Sequence, residues 1–515
     1  MVTKAHSLGP FTGGMNNAAG QASILDRELY LIENGFVDTD GTIKSRPAIV
    51  YEETVSPHTG TLTALGYYVR NDGEVFLVVA TAVDTQVYQL STKTWTSIWS
   101  TPAASFTQYD DKIVMCSTTV AGGYWEAGTF TAIPTMPLAV QIVFYQERFW
   151  LFGVKGTANA TTLWFSDLNV ISPPSSIYNF DTVNNFITVS RGDGQWITGL
   201  LADTNALIIF RSGSTYQFSY PSAPASGTLR VLSKTIGAEN QWAFVAYESY
   251  FLVLSQGFLY QFINYRFYPL NTKKITFATL ALPMGQLIDM RVSIFGSKVL
   301  VWYFGSTYVY NLVTASWAMW PSPASNVAHY FTIPPTSTSG AARTALAVTG
   351  ENDPAKMRLW RMSDTPLATG GLTETYTMRV VTKIYDFAEP AAFKRLFWWA
   401  AEVFSATGID ALTHPVIISA GGVTWDQMAT TTWDVLALGS WDDPLIIPPL
   451  YDDNTTFPVD FPIEETIRVI AATPFVRIFF EVKINLDGTA TTTPARLINI
   501  VPYLANKENV SQKVS

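Results

Sequence analysis

Four histidines, His6, His58, His329 and His414, fall in separate loops with no spacing that would gather metal ligands. No Gly-x-Ser-x-Gly elbow, Walker loop or dinucleotide fingerprint occurs, so the sequence offers neither a nucleophile nor a cofactor cradle. Asp38-Thr-Asp-Gly41 has the start of a calcium loop but lacks the later ligands and the closing Glu; a hairpin turn is the simpler reading. Asp452-Asp-Asn is equally sparse. Arg191-Gly-Asp193 spells an adhesion tripeptide, yet Ser-Arg-Gly-Asp-Gly is ordinary turn chemistry. The single cysteine, Cys116, sits in the apolar run Lys112-Ile-Val-Met-Cys-Ser and reads as a small core residue. The expectation is a chain with no catalytic, cofactor or metal site.

Composition narrows the setting in which any chemistry would occur. Hydrophobic residues make up 48% and charged residues 14%, which excludes a disordered chain and argues against long exposed helices. Thr, Val, Tyr, Phe and Trp are abundant, which favours strands. The net charge of −9 comes without any Lys/Arg cluster, so a grip on nucleic-acid phosphates is not expected. Residues 1–14 hold no apolar signal core, and runs such as 275–284 fall short of the roughly 20 residues of a membrane span. The reading is of a soluble protein made in a reducing cytoplasm.

One unit recurs along the chain: an apolar strand, a short turn, then a strand carrying Tyr or Trp. It appears as Val75-Phe-Leu-Val-Val-Ala with Gln86-Val-Tyr-Gln-Leu, then as Ile113-Val-Met-Cys with Gly123-Tyr-Trp-Glu. It returns as Arg148-Phe-Trp-Leu-Phe-Gly with Thr162-Leu-Trp-Phe-Ser, and as Ala206-Leu-Ile-Ile-Phe with Thr215-Tyr-Gln-Phe. Tyr250-Phe-Leu-Val-Leu with Phe258-Leu-Tyr-Gln-Phe follows, then Val299-Leu-Val-Trp-Tyr with Thr307-Tyr-Val-Tyr. Ala345-Leu-Ala-Val with Met357-Arg-Leu-Trp is a weaker seventh. The intervals bracket the ~40–50 residues of a four-stranded propeller blade. Several units end in a further aromatic strand, such as Thr94-Trp-Thr-Ser-Ile-Trp. We expect an all-β fold, a β-propeller of six or seven blades, in which the apolar run is the first strand of each blade. A stacked β-sandwich array is the alternative.

The division expected is an N-terminal arm over 1–55, a propeller over 56–366 and a C-terminal β-domain over 367–515. Beyond Pro366-Leu-Ala-Thr-Gly-Gly the pattern changes to alternating strands, Thr375-Tyr-Thr-Met-Arg-Val-Val and Phe475-Val-Arg-Ile-Phe-Phe, which suggest a β-sandwich-like domain. Residues 393–404 fit helix or strand, and the β-rich setting favours strand. A Pro-rich loop spans 442–462. In Ile418-Ser-Ala-Gly-Gly-Val-Thr-Trp425, Ile418 and Ala420 stand where the Asp box of propeller sialidases has Ser and Asp, so a plain hairpin is expected.

The opening segment is the most specific feature. Phe11-Thr-Gly-Gly-Met-Asn16 precedes Asp26-Arg-Glu-Leu-Tyr-Leu-Ile-Glu-Asn34, then Asp38-Thr-Asp-Gly41 and Ser45-Arg-Pro47. This resembles the start of the tail nozzle proteins of short-tailed bacteriophages, also called tail tubular protein B or tail hub proteins. The aromatic repeats, and Asp386-Phe before Pro390 with Lys394-Arg-Leu-Phe, look like that family too. The resemblance places its signature on Gly13, Gly14, Asn16, Glu28, Asn34, Asp40, Gly41, Arg46 and Pro47, which are candidates for a ring interface. It implies a structural, non-enzymatic virion protein: a hexameric ring in the phage tail, below the head–tail adaptor. Such a ring would carry tail fibres or spikes and pass phage DNA through its lumen without sequence-specific binding, membrane insertion or any cofactor. Another virion component, or a propeller glycan hydrolase or lectin, is the alternative.

Overall fold

The computed structural model describes residues 4–5, 7–51, 62–168, 177–190, 192–221, 223–270, 274–275, 291–303, 306–321, 327–333, 344–350, 357–363, 376–385, 394–405, 412–413, 463–470, 474–475, 481–486 and 496–506. The half Asp box at 418–425, the Pro-rich loop, Asp452, His6, His58 and His414 lie outside them. No helix among the described residues is long and apolar enough to cross a membrane.

Among the described residues, six antiparallel four-stranded sheets and a seventh set of four antiparallel strands, which is part of a nine-stranded sheet, follow one another, and we number them as blades 1–7. Blade 1 is Leu62–Val69, Val75–Thr81, Thr85–Gln89 and Thr94–Trp99. Blade 2 is Ser105–Tyr109, Lys112–Cys116, Gly123–Glu126 and Thr129–Ala132. Blade 3 is Gln141–Tyr145, Arg148–Phe152, Thr162–Phe165 and Phe186–Thr188. Blade 4 is Ile197–Ala202, Leu207–Arg211, Thr215–Ser219 and Thr228–Ser233. Blade 5 is Phe244–Tyr247, Tyr250–Ser255, Phe258–Ile263 and Arg266–Pro269. Blade 6 is Arg291–Phe295, Lys298–Tyr303, Ser306–Asn311 and Ser316–Pro321. Blade 7 takes Val327–Ile333, Thr344–Gly350 and Met357–Ser363, and its outer strand is Ala48–Tyr51 from the other end of the chain. The first strand of each blade lies beside that of the next, and blade 7 returns to blade 1. This is a seven-bladed β-propeller.

The apolar runs occupy the second strand of each blade, not the first as expected from the sequence. Val75–Thr81 and Leu207–Arg211 are buried along their whole length because a sheet neighbour flanks each side and a blade covers each face. First strands lie nearer the axis, where the blades converge and room is short. A Cβ on Gly66 would stand 2.6 Å from the Phe106 ring of blade 2, and one on Gly199 would stand 2.3 Å from Phe244 of blade 5. Glycine there lets the neighbouring blade's phenylalanine close the gap. Two glutamines stitch first strands together by imitating a peptide unit. Gln108 donates to Val69 O at 2.7 Å and accepts from its N–H at 3.2 Å. Gln141 does the same to Leu200, at 3.1 and 2.7 Å.

The outer edge of blade 6 continues into a second body. Glu28–Glu33 lies beside Ser316–Pro321 and pairs with Tyr376–Thr382, followed by Glu481–Leu486 and Leu412–Thr413. A further sheet runs Ile463–Ile470, Lys394–Ser405, Arg496–Asn506, Ile43–Ser45, Gly35–Val37. Residues 394–405 are thus strand. Ile32, Met378, Val380 and Val482 of the first sheet share one core with Phe36, Ile43, Leu497 and Ile500 of the second. The result is a β-sandwich assembled from both ends of the chain and joined to the propeller through blade 6.

Candidate functional site

The signature residues converge on this joint. Asn34 takes a left-handed backbone, φ 53°, at the corner where the chain leaves Glu28–Glu33 for Gly35–Val37 in the other sheet. Asn tolerates that conformation better than a β-branched residue would. Its amide donates to Thr377 O at 2.8 Å, and its carbonyl Oδ1 accepts from Arg46 Nε at 2.8 Å. The Arg46 N–H donates to Asn34 O at 2.8 Å, and Arg46 Nη1 reaches Pro47 O at 3.2 Å. Blade 6 holds the same corner from its side. Asn34 N–H donates to Met319 O at 2.9 Å, Trp320 Nε1 to Gly35 O at 2.9 Å, and Asn311 Nδ2 to Val37 O at 2.9 Å.

Glu28 is the electrostatic centre of the joint, with a side chain only 3% exposed. It accepts from Asn16 Nδ2 at 2.8 Å and from Leu25 N–H at 3.0 Å, and it pairs with Lys274 Nζ at 2.9 Å. Lys274 also donates to Gly13 O at 2.6 Å, and its own carbonyl accepts from Asn17 N–H at 3.1 Å. Burial pushes the Glu28 carboxyl up, but the Lys274 hydrogen bond, Leu25, Asn16 and the Lys274 charge together hold it below the usual 4.5.

Gly13 and Gly14 bring the backbone in close. Gly14 has φ +68°, and a Cβ there would lie 2.6 Å from Ser316 Cβ on blade 6. Gly14→Val is therefore expected to destabilise the fold by about 2–3 kcal/mol, through a disallowed backbone and a clash; a urea midpoint unchanged from wild type would refute this. Asp38-Thr-Asp-Gly41 is a hairpin turn, with Gly41 N–H donating to Asp38 O at 3.0 Å. Asp40 Oδ1 accepts from Thr42 Oγ1 at 2.7 Å, and this hydroxyl leads the interactions that lower its pKa. Arg496 approaches Asp38 at 3.5 Å and Asp40 at 3.6 Å. Of the nine signature residues, Asp40 is exposed, Asn16 and Asn34 are half-buried and the others are buried within the chain.

The remaining chemical candidates resolve simply. Asp193 of the Arg-Gly-Asp string is held by the fully buried Arg211, which also donates to Gln195 O at 2.8 Å. The Arg211 hydrogen bond lowers the Asp193 carboxyl to about 2. Cys116 is fully buried, and burial pushes its thiol up to about 12. His329 lies on Val327–Ile333. No group of three or more His, Cys, Asp or Glu gathers among the described residues.

Two surface features were not anticipated. In blades 1–6 the turns between first and second strands emerge at one end of the propeller, and in blades 1–5 they carry acids: Asp72, Asp111, Glu147, Asp203 and Glu248 among them. Tight turns after tyrosine, Tyr109-Asp-Asp-Lys and Tyr145-Gln-Glu-Arg, are the sequence signal that marks them. The opposite end carries charges of both signs, Lys155, Asp193 and Lys234 among them, and exposes Val83, Val120 and Leu138.

No protein-family model and no curated protein matches the chain. Among solved structures, U3-55K is similar at 9% identity and TM-score 0.41, over 61% of this chain and 98% of its own. The WD40 β-propeller domain of Doa1 is similar at 7% identity and TM-score 0.39, over 61% and 96%. The AfRom2 CNH domain gives 9% and 0.39, over 60% and 98%. These are likenesses of fold alone; the blade topology carries the assignment.

Proposed function

We propose that the chain is a structural subunit of a short phage tail, a nozzle protein that forms a ring around the path of outgoing DNA and has no catalytic role. The observation that carries this reading is the joint itself. The residues on which the resemblance rests, Gly13, Gly14, Glu28, Asn34, Gly41 and Arg46, together build the connection between propeller and sandwich. A motif distributed over some 35 residues has one architectural purpose here, which is to fix one body on the other. In a ring, the sandwich would serve as the platform, and these residues would set its angle to the propeller.

The charge supports the same role. An acidic surface repels a DNA backbone and lets it slide, because like charges disfavour adsorption. The acid-bearing propeller end and the net charge of −9 suit a conduit or its rim better than a DNA-gripping site. Neighbouring subunits, an adaptor above and fibres or spikes at the flank are the partners this reading calls for.

Electron microscopy of the purified chain is the decisive experiment. Six-fold rings with an open lumen are expected, at micromolar concentration or on the adaptor. Trimers or persistent monomers would count against a nozzle, and clearing of host polysaccharide by the purified protein would overturn the non-enzymatic part.

A further inference from the structure

The connection from blade 4 to blade 5 does not stay at the rim. It leaves Thr228–Ser233 at the outer edge and is anchored between the two blades. There Ala238 N–H donates to Arg211 O at 3.2 Å and Gly237 N–H to Ser255 Oγ at 3.1 Å. The next turn is tightened by the Asn240 side chain, whose Oδ1 accepts from Trp242 N–H at 2.6 Å. From this turn Gln241 donates through Nε2 to Ala104 O at 3.0 Å. Ala104 leads into the first strand of blade 2, which lies across the axis from blade 5 in a seven-blade ring. Trp242 packs on the cluster formed by blades 1 and 2, including Ala64, Ala103 and Ile113. Its carbonyl accepts from Val292 N–H of blade 6 at 2.9 Å. Residues 240–242 therefore touch blades 1, 2 and 6 while belonging to the entry of blade 5.

We propose that residues 240–242 form a cross-axis strap that closes one mouth of the propeller's central channel, at the end opposite the acid-bearing turns. A loop that merely joined two adjacent blades would have no reason to place an amide on a carbonyl 137 residues away. The consequence is that nothing threads through the propeller.

The test uses the full chain and its inert Cys116. Ala104→Cys and Gln241→Cys are introduced together and treated with a short bis-maleimide; a control pairs Ala104→Cys with Thr204→Cys at the opposite end. An internal cross-link, seen as a faster gel band, is expected for the first pair and not for the control. In a Gln241→Ala/Trp242→Gly variant, hydrogen exchange at the Val292 amide should rise by about tenfold or more while the amides of Arg148–Phe152 keep their protection. A folded 104/241 variant that fails to cross-link, or an unchanged Val292 amide, overturns the strap.

Discussion

Glu28→Ala is expected to destabilise the protein by about 3 kcal/mol or more, because it leaves Lys274 in a largely enclosed site without its counter-charge. It also removes the acceptor for Asn16 Nδ2, which ties the Gly14–Met15 strand's end to the strand Glu28–Glu33, and for Leu25 N–H, which closes the turn before it. The cost should fall when Lys274→Met is added, since the stranded charge is then gone; equal losses in single and double variants would argue against the ion pair as the cause. The pH dependence has a definite sign. The native carboxyl is held below its ordinary value, so its contribution is complete above about pH 4.5 and is lost as pH falls through the depressed native pKa. Urea midpoints between pH 3 and 7 should therefore converge for wild type and Glu28→Ala at the acid end. Parallel curves across the range would refute the assignment.

Trp150→Ala is expected to cost about 3–5 kcal/mol, the usual price of deleting a fully buried aromatic. Trp150 is completely buried on the second strand of blade 3 and donates through Nε1 to Tyr145 O at 3.1 Å. Its ring lies 5.1 Å from Phe165 in the same blade and 5.5 Å from Phe218 in blade 4, with Tyr220 at 5.8 Å. The loss therefore loosens the contact between two blades as well as one sheet. Exchange protection should drop in blades 3 and 4 before blade 1; a uniform drop would show that the seven blades open as one unit instead.

Much of the propeller is visible in the side chains of single strands. Each second strand is largely enclosed and so reads as an apolar run, and each third strand carries Tyr or Trp. Seven such pairs, from Val75 to Trp360, correspond to seven blades. The weak seventh pair has a concrete cause. Its outer strand is Ala48–Tyr51, so the local sequence holds only three strands of that blade. The placement of the apolar run within a blade was not legible, because a strand's composition records how enclosed it is but not its distance from an axis.

The joint was half legible. Asn34, Gly14 and Gly41 are residue types suited to left-handed backbone, and the sequence displays them as turn chemistry. The distant partners that complete the joint, Thr377 and Met319 on Asn34, Lys274 on Gly13 and Glu28, and Arg496 beside Asp38 and Asp40, stand hundreds of residues away and make generic hydrogen bonds or ion pairs. The strap has the same character: Gln241 meets a backbone carbonyl, and every residue carries one.

By itself, then, the sequence determined which segments are strands, how enclosed each is and where the chain turns, because those properties reside in the side chains of neighbouring residues. Tertiary structure alone decided that the N-terminal segment completes blade 7, that blade 6 runs on into a sandwich shared by both chain ends, and that a loop crosses the axis. Those choices are made by backbone groups common to all residues, and only the closed ring and its joint select which of them meet.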